Sequence, residues 1–389
     1  MKLVRKSNTF YSHYVSFNTL KYYSFTNRHK TTKVKEEIFM VDTIDVEYIF
    51  SNKKDYNNCF ILFDSIAEKN GERLHKQDRN RYRYITSAFN DFGWLKVKFG
   101  VYERGYALRI SWKPSTHIYN KNPIALSKPG DYLQAEEYFN SVISQLNHQA
   151  GKELLPHLDY WNVLRFDYAI NLYTPYTREY IRLFYAGFIP KGFHIPHTYT
   201  TSFYMKSNSL KYNIYDKCEH LKQKYHYKDE DINSLLKGRD ISILRLEIQC
   251  FAKEIARIKE KFLLPNRSVK ALWQPDIARD ILAKRTSAII GSEDIFTYEQ
   301  STDMLLHKYA NRTYENCEAI IRRMATMKAP SLQLIKEVLA DHGERNMFNS
   351  LVYKIRQSGA NPIPLESCYD GTDISYLINP YNCVMAYFH

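Results

Sequence analysis

Three segments of this chain alternate apolar and polar residues with a period of two, and each carries charged or phenolic side chains at its polar positions. The segments are residues 161–173, 207–221 and 242–251. Successive side chains of a β-strand point to opposite sides, so this pattern predicts three strands that each bury one face. We therefore expect an antiparallel sheet with one apolar and one polar face.

The two faces are clearest in the middle segment, where Tyr212 and Tyr215 point in opposite directions. Tyr212 falls among apolar residues and is expected in the core, whereas Tyr215 is aligned with lysines. A one-residue change of register, or a bulge, would exchange the two tyrosines. The predicted apolar face holds Leu210, Tyr212 and Ile214, and the predicted polar face holds Lys211, Asn213, Tyr215 and Lys217.

The other two segments add acidic and basic side chains at their polar positions. Arg165 and Asp167 share the polar face of the first, and Arg245 and Glu247 share that of the third. If the three strands share one sheet, these side chains project together with Tyr215. A tyrosine hydroxyl is a weak nucleophile near neutral pH and needs a nearby cation or base. Two carboxylates would hold Mg²⁺ or Mn²⁺ against a scissile phosphate, so the set suits cleavage of a phosphodiester.

The cations of these strands are candidate ligands for the flanking phosphates. Lys211, Lys217 and the two arginines would bind them. Arg81 and Arg83 lie in a further basic run, residues 76–83, which would either touch phosphates or form an ordinary solvated surface. Each signal is weak alone, because polar strand faces are common and an arginine two residues from an acid can be a simple ion pair.

Charge and composition narrow the class of partner. The chain has 389 residues, a formal net charge of +13 and 33 tyrosines. An excess of cationic side chains favours a polyanionic partner, because neutralising phosphates releases counterions, and aromatic rings can stack on the bases of single-stranded nucleic acid. Codon bias in an A/T-rich genome would also enrich lysine and tyrosine. The six cysteines form no C-x-x-C pair and no apolar run is long enough to cross a membrane. We expect free thiols, a reducing compartment such as the cytoplasm, and no membrane.

The distribution of patterns predicts an α+β fold in two parts. Residues 1–39 are basic and lack the hydrophobic region of a secretory signal, so we expect a flexible extension. Residues 40–265 mix strands with helices and predict a nuclease domain built on an antiparallel sheet. Residues 266–389 are mainly helical in pattern and predict a smaller C-terminal domain. In the first part, a hairpin is expected, with one face of its first strand lined by Leu95, Val97, Phe99 and Val101.

Several short motifs follow one another along the chain. DTI opens the first strand at Asp42, and a hairpin runs into Lys113-Pro114-Ser115. LRFDYAINLY, LKYNIYDKCEHL and ILRLEIQCF contain the three alternating strands, and LVYKIRQSGANPI lies near the end. In this order, over residues 40–362, the chain resembles the gene II replication proteins of filamentous phages and the related phage and plasmid initiators.

The resemblance implies a rolling-circle replication initiator. Such a protein binds a double-stranded origin, nicks one strand through a 5′-phosphotyrosyl link, frees a 3′-hydroxyl for priming and rejoins the strand at termination. It implies Tyr215 as the nucleophile, Lys217 as its charged neighbour, and Asp167 and Glu247 as metal ligands. The chain has no GxxxxGK[ST] loop, so a host helicase and polymerase are expected partners beside double- and single-stranded origin DNA.

Other interpretations stay open. Many rolling-circle endonucleases hold their metal on a histidine-hydrophobic-histidine strand, but the nearest match here is His194-Ile195-Pro196-His197, whose histidines would face opposite sides and whose proline does not suit a central strand. We keep His197 as a further metal candidate. A non-catalytic, sequence-specific DNA-binding regulator of phage or plasmid copy number would share the fold and charge. A nuclease that uses water would keep Asp167 and Glu247 but would not need Tyr215.

Overall fold

Most strands of this protein belong to one large antiparallel sheet. The structure is a computed structural model that describes residues 40–72, 75–77, 82–102, 105–341 and 343–388. Its strands are β1 (Val41–Ile49), β2 (His75–Gln77), β3 (Tyr82–Ile85), β4 (Trp94–Tyr102), β5 (Gly105–Trp112), β6 (Asn162–Thr174), β7 (Ser202–Lys206), β8 (Leu210–Asp216), β9 (Ser242–Phe251), β10 (Ile295–Phe296) and β11 (Tyr376–Leu377). Nine of them form a sheet in the order β2-β3-β4-β5-β1-β6-β9-β8-β7, and β10 pairs with β11. Every pairing in the large sheet is antiparallel.

Helices lie between and after the strands. They are α1 (Lys53–Lys69), α2 (Ser115–Ile118), α3 (Tyr132–Ala150), α4 (Thr177–Ala186), α5 (Lys217–Tyr225), α6 (Asp229–Leu235), α7 (Ala252–Lys261), α8 (Val269–Leu272), α9 (Pro275–Ile290), α10 (Tyr298–Lys308), α11 (Asn311–Thr326), α12 (Leu332–Asp341), α13 (Arg345–Gln357) and α14 (Pro380–Tyr387). Within the described ranges, none of these helices has the length and apolar character needed to cross a membrane.

Helices cover the apolar face of the sheet. Phe63 of α1 and Phe139 of α3 pack against Trp94, with ring centroids 6.3 and 5.5 Å away. At the other end of the sheet, Phe184 of α4 packs against Phe203 of β7 at 5.6 Å. Burial of these rings removes large apolar areas from water and holds the layers together. The predicted α+β class with an antiparallel sheet flanked by helices is confirmed.

A bulge in β1 decides which of its side chains reach the polar face. Asp42 and Thr43 together stand opposite the single residue Asp167, because the register with β6 shifts at this point. A bulge of this kind breaks the strict alternation of side chains. Asp42 and Asp45, three residues apart, therefore both reach the polar face. The pairs on either side of the bulge are Val41 with Tyr168 and Ile44 with Phe166.

A second bulge changes the predicted hairpin of β4 and β5. The register between the two strands shifts between Trp94 and Lys96, so Leu95 is the extra residue. Leu95 is 42% exposed, and Val101, at the far end of the strand, is 52% exposed. The prediction that Leu95 shares a face with Val97 was therefore wrong, whereas Val101 stays on the face of Phe99 and is exposed only because it lies at the end of the strand. The other two residues of the predicted set are buried.

The helices after residue 265 pack directly on the sheet. The Tyr168 hydroxyl of β6 donates a hydrogen bond to the carbonyl oxygen of Leu272 at 2.9 Å. A Cβ atom added to Gly187 would lie only 2.5 Å from the carbonyl oxygen of Ile289, so the end of α4 touches the backbone of α9. Buried apolar side chains before and after residue 265 belong to one cluster. The division into two domains at this residue stays a prediction.

Candidate active site

The three alternating segments are neighbouring strands, and their polar positions share one face. β9 lies between β6 and β8. In this register Ala169 is opposite Glu247, and Arg245 is opposite Tyr215. Residues directly opposite each other in antiparallel strands project to the same side. The structure therefore brings Tyr215, Asp167 and Glu247 together, while the roles predicted for them stay predictions.

Three buried carboxylates form a cluster on this face. One oxygen from each of Asp42, Asp167 and Glu247 lies within 4.8 Å of the others. Asp167 has no exposed surface and Glu247 is 3% exposed. Asp42 was not among the predicted metal ligands, because strict alternation along β1 hides the bulge that turns it toward the cluster. The DTI motif that contains Asp42 was the available signal.

Tyr215 contacts this cluster directly. Its hydroxyl lies 3.4 Å from Glu247 Oε2, to which it donates a hydrogen bond. Burial raises the pKa of Tyr215 well above its ordinary value; Arg245 opposes this rise, and the negative charge of Glu247 adds to it. Tyr212 is buried on the opposite face, where it packs against Phe193 with ring centroids 5.2 Å apart. The predicted orientations of the two tyrosines are confirmed.

Arg245 is completely buried and joins β9 to other parts of the chain. Its Nε donates to Asn171 Oδ1 at 2.9 Å, and its terminal nitrogens donate to Asp42 at 3.2 Å and to the Ile124 carbonyl oxygen at 2.6 Å. A guanidinium with no exposed surface does not reach a DNA phosphate, so Arg245 was wrongly expected to bind DNA. Its contacts instead fix the position of Asp42 and place a positive charge beside the Tyr215 hydroxyl.

Arg165 and Asp167 lie two residues apart on β6, and Arg165 binds both carboxylate oxygens of Asp167. Its Nε donates to Oδ1 at 2.7 Å, and a terminal nitrogen donates to Oδ2. The other terminal nitrogen lies 3.9 Å from Asp45, and 23% of the Arg165 side chain is exposed. Burial raises the pKa of Asp167 well above its ordinary value, against the opposing charge of Arg165. Arg165 therefore lies at the opening of the cluster, where a phosphate can approach it.

Lys217 belongs to a helix rather than to the predicted strand. β8 ends at Asp216, whose side chain accepts hydrogen bonds from the amides of the first turn of α5 and so starts the helix. The Lys217 side chain nevertheless stays with the site. Burial, together with the charges of Arg245 and Lys113, lowers the pKa of Lys217 to about 6, against the opposing charges of Asp42 and Glu247.

Lys113 is a second buried lysine of the site. It follows β5, and its Nζ lies 3.7 Å from Asp42 Oδ1. Burial alone would raise the pKa of Asp42, but the cations around it, led by Lys113 and Arg245, outweigh burial and lower that pKa to about 2. In the sequence, Lys113 belongs to the Lys-Pro-Ser motif, but no pattern indicated a role for it in the site.

The remaining predicted DNA ligands are divided between the two faces. Lys211 is half-buried on the polar face, where its Nζ lies 4.7 Å from the ring centroid of Tyr204. Arg83 pairs in register with the buried Phe99 and so lies on the helical side, with its guanidinium over the ring of Phe60 at 4.9 Å. Arg83 is therefore not part of this site. Arg81 and the basic extension of residues 1–39 lie outside the described residues.

Two histidines differ in their distance from the site: the metal candidate His197 lies apart from the acidic cluster, whereas His220 lies beside Tyr215. His197 is exposed, packs near Tyr199 at a centroid distance of 6.1 Å, and does not belong to the acidic cluster. His220 lies on α5, and its ring centroid is 5.2 Å from that of Tyr215. Burial and the charge of Lys217 lower the pKa of His220 to about 4. The strand predicted over residues 207–221 ends at Asp216, and the first turns of α5 bring His220 back beside Tyr215.

The three carboxylates suit a small divalent cation in donor chemistry. Mg²⁺ and Mn²⁺ prefer carboxylate oxygens, and Mg²⁺ is usually held by one or two carboxylates, waters and the phosphates of a substrate. Each oxygen of Asp167 has a lone pair beyond the one that Arg165 uses, so the ion pair does not exclude a metal. Because Arg165, Arg245 and Lys113 already compensate the carboxylates, we expect weak metal binding that strengthens when a phosphate supplies a further ligand.

Comparisons with protein-family models, with curated proteins and with solved structures find no match to this chain. The site combines the phenol of Tyr215, the three clustered carboxylates and the cations Arg165, Arg245 and Lys113 beside them. That combination can bind a phosphodiester, hold a divalent ion and transfer a phosphoryl group to an oxygen nucleophile.

Proposed function

We propose that this chain is a rolling-circle replication initiator that nicks one strand of origin DNA through Tyr215 and rejoins it at termination. Its partners would be double- and single-stranded origin DNA together with a host helicase and polymerase in the bacterial cytoplasm. The observation that carries the proposal is the contact between Tyr215 and Glu247, at 3.4 Å, beside the carboxylates of Asp42 and Asp167. The proposed nucleophile, the carboxylate that would accept its proton and the candidate metal ligands are thus adjacent.

The proposed step is a transesterification. The phenolic oxygen of Tyr215 forms a bond to phosphorus while the bond from phosphorus to the 3′-oxygen breaks, and the 3′-oxygen takes up a proton. The proton of Tyr215 passes to Glu247, which already accepts its hydrogen bond. Because the tyrosyl ester stores the energy of the broken bond, the reverse reaction needs no nucleotide hydrolysis.

The cations, and a divalent ion held by the acidic cluster, would stabilise the negative charge that develops on the phosphate. Lys211 and Arg165, which are partly exposed at the opening, would bind non-bridging or flanking phosphate oxygens, and the amine of Lys217, neutral above about pH 6, would donate a hydrogen bond inside it. A divalent ion held by Asp42, Asp167 and Glu247 would polarise the scissile phosphate. Arg245 would keep Asp42 in place for this set.

A second candidate function is a non-catalytic DNA-binding regulator. It is favoured because the carboxylates of the cluster already have cationic partners: Arg165 binds both oxygens of Asp167, and Arg245 binds Asp42. Tyr215 is also only 7% exposed and has a raised pKa, which makes it a poor nucleophile in the absence of a partner that changes the electrostatics. Paired carboxylates and a buried tyrosine are also what we expect of a buried polar network that only stabilises the fold.

One assay separates these functions. The full chain is incubated with supercoiled plasmid that carries the cognate origin and with Mg²⁺ or Mn²⁺, and the products are examined for nicked circles and for a covalent protein–DNA adduct on a denaturing gel. We expect both products. DNA binding without any nicking would favour the regulator, and nicking that persists in Tyr215→Phe would favour hydrolysis by water.

Tyr212→Phe is the matched control for Tyr215→Phe. Both substitutions remove one hydroxyl from β8, but Tyr212 is buried on the helical face and does not contact the cluster. We expect Tyr212→Phe to retain nicking and Tyr215→Phe to lose both the adduct and the nick. Equal loss in the two variants would indicate damage to the strand rather than removal of a nucleophile.

A further inference from the structure

Arg165 lies between two carboxylates on the polar face of the sheet. Asp167 is two residues further along the same strand, and Asp45 of β1 stands directly opposite Arg165 in register. Residues two apart on a strand are separated by about 7 Å, and opposite residues of antiparallel strands by about 4.5–5.5 Å. One guanidinium can therefore reach either carboxylate by rotation of its side chain, with no change of the backbone.

The two carboxylates are bound unequally. Arg165 donates to both oxygens of Asp167, through Nε at 2.7 Å and through a terminal nitrogen. Asp45 has only a longer contact, in which its Oδ2 lies 3.9 Å from the other terminal nitrogen. That distance is too long for a hydrogen bond. The second oxygen of Asp45, Oδ1, is buried and has no hydrogen-bond partner among the described residues.

A buried carboxylate oxygen without a donor is an unfavourable arrangement. Burying such an atom costs free energy unless a donor satisfies it, and nearly all buried polar atoms in proteins have one. Arg165 is the cation that pairs with Asp45 in the described part of the chain. Both side chains are partly exposed, so close packing does not hold the guanidinium in its present place. The orphaned oxygen thus indicates a second position for Arg165.

The ion pair of Arg165 with Asp167 competes with metal binding. Asp167 has no exposed surface and belongs to the cluster with Asp42 and Glu247. A guanidinium on both of its oxygens neutralises the carboxylate and repels a divalent cation that approaches the same oxygens. Affinity for the cation would therefore increase if Arg165 left Asp167 for another carboxylate.

We propose that Asp45 is a positioning residue for the candidate metal site, because it accepts the guanidinium of Arg165 when a divalent cation binds Asp167. Arg165 then donates to Asp45, including the buried Oδ1, and each carboxylate keeps a cationic partner throughout the exchange. The proposal rests on the metal site of the proposed function, and it adds the residue that allows this site to open.

The test measures Mn²⁺ affinity rather than cleavage. The full chain is titrated with Mn²⁺ at constant pH, and the electron paramagnetic resonance signal of the free ion gives the dissociation constant. Substitution of a residue that positions a metal ligand typically weakens metal affinity about 10- to 100-fold, so Asp45→Asn should raise the dissociation constant by about tenfold or more. Asp45→Glu keeps the carboxylate and should restore most of the affinity.

Glu47→Gln is the matched control for Asp45→Asn. Glu47 lies two residues along β1 on the same face, and its carboxylate accepts a hydrogen bond from Arg109 at 2.8 Å. The substitution removes the same charge without affecting the partner of Arg165. It should weaken Mn²⁺ binding much less than Asp45→Asn does, and an equal loss in the two variants overturns the proposal. Circular dichroism of each variant checks that the sheet is intact.

A double-mutant cycle separates the exchange from the effect of charge alone. In an Arg165→Met background there is no guanidinium for Asp45 to accept, so Asp45→Asn should change Mn²⁺ affinity far less than it does in the unchanged chain. If Asp45 acts only through its negative charge, the loss is the same in both backgrounds, and the proposal fails.

A crystal structure of the unchanged chain soaked in Mn²⁺ tests the exchange without any substitution, and it decides the question if Arg165→Met does not fold. The anomalous scattering of manganese locates the ion. With the ion on Asp167, we expect Arg165 within hydrogen-bond distance of Asp45 Oδ1. An ion on Asp167 beside an Arg165 that still binds both oxygens of that residue overturns the proposal.

The outcomes distinguish this proposal from the function on which it rests. Equal Mn²⁺ affinity in Asp45→Asn and in the unchanged chain overturns the exchange even if the chain nicks DNA. Failure of the unchanged chain to bind Mn²⁺ overturns it as well. A loss of affinity that depends on Arg165, in a chain that never nicks its origin, supports the exchange and removes the nicking function.

Discussion

The hydroxyl of Tyr215 lies 3.4 Å from a carboxylate oxygen of Glu247, and the two side chains come from adjacent strands, β8 and β9. The contact has two opposite effects. Glu247 is in position to accept the phenolic proton, yet its negative charge and the surrounding burial both raise the pKa of Tyr215. The tyrosine is therefore neutral at physiological pH in the isolated protein. Deprotonation would depend on cations that arrive with the substrate.

Arg245 is predicted to be essential for the stability of the site. Arg245→Met leaves Asp42 and the Ile124 carbonyl without their buried donor, and removing one partner of a buried ion pair typically costs about 3–5 kcal/mol. Urea denaturation should show a loss of that size in the free energy of unfolding. Arg257→Met is the control, because Arg257 is mostly exposed and its buried partner Glu254 keeps a second ion pair with Arg285, so the loss should be about 1 kcal/mol or less. Similar losses in both variants would contradict the role of Arg245.

Metal binding should stabilise the folded chain through the acidic cluster. At an Mn²⁺ concentration about 100 times the dissociation constant, binding to the native state alone adds about 2.7 kcal/mol to the free energy of unfolding. Glu247→Gln and Asp167→Asn should lose this increment, measured as the difference between denaturation with and without Mn²⁺. Asp91→Asn, which alters an exposed carboxylate paired with Lys121, should keep it. Retention of the full increment by both cluster variants would exclude this cluster as the metal site.

Alternation along three strands was enough to predict the faces of the site. It correctly separated Tyr215 from Tyr212 and put Asp167 and Glu247 on one side, because the pairings of β9 with β6 and with β8 keep their register without a shift. Where the backbone departs from alternation, the predictions failed. The bulge in β1 brings in Asp42, and the helix that begins after Asp216 redirects the chain toward His220.

Burial was the second property that the sequence pattern could not predict. An arginine at a polar strand position was expected to be accessible, but Arg245 is covered through its bond to the Ile124 carbonyl, which belongs to a loop remote in sequence. Arg83 was expected near DNA, but its strand position opposite Phe99 turns it to the helical side. Both cases depend on contacts between distant segments, which periodicity along one strand does not encode.

Lys217 should make stability depend on pH. Its folded pKa is lowered to about 6, mainly by burial, while the unfolded chain has a lysine pKa of about 10.4. Between these values the unfolded state binds a proton that the folded state does not, so stability rises with pH, by at most about 1.4 kcal/mol per pH unit. Lys217→Met should remove this rise, measured by urea denaturation in EDTA at intervals of pH. A variant whose stability rises with pH as steeply as that of the unchanged chain would show that Lys217 stays charged when folded.

A chain that ends at residue 265 should not form a stable domain. The truncation removes α9, whose buried residues Ile277 and Ile281 belong to the same apolar cluster as the sheet, and it removes the Leu272 carbonyl that accepts the Tyr168 hydroxyl. The apolar face of β6 and β9 would then be exposed, and the buried hydroxyl would lose its acceptor. We expect circular dichroism to show no cooperative thermal transition for residues 40–265, whereas residues 40–389 unfold cooperatively. A cooperative transition in the shorter chain, with near-native helix and strand content, would instead establish the two predicted domains as separate folding units.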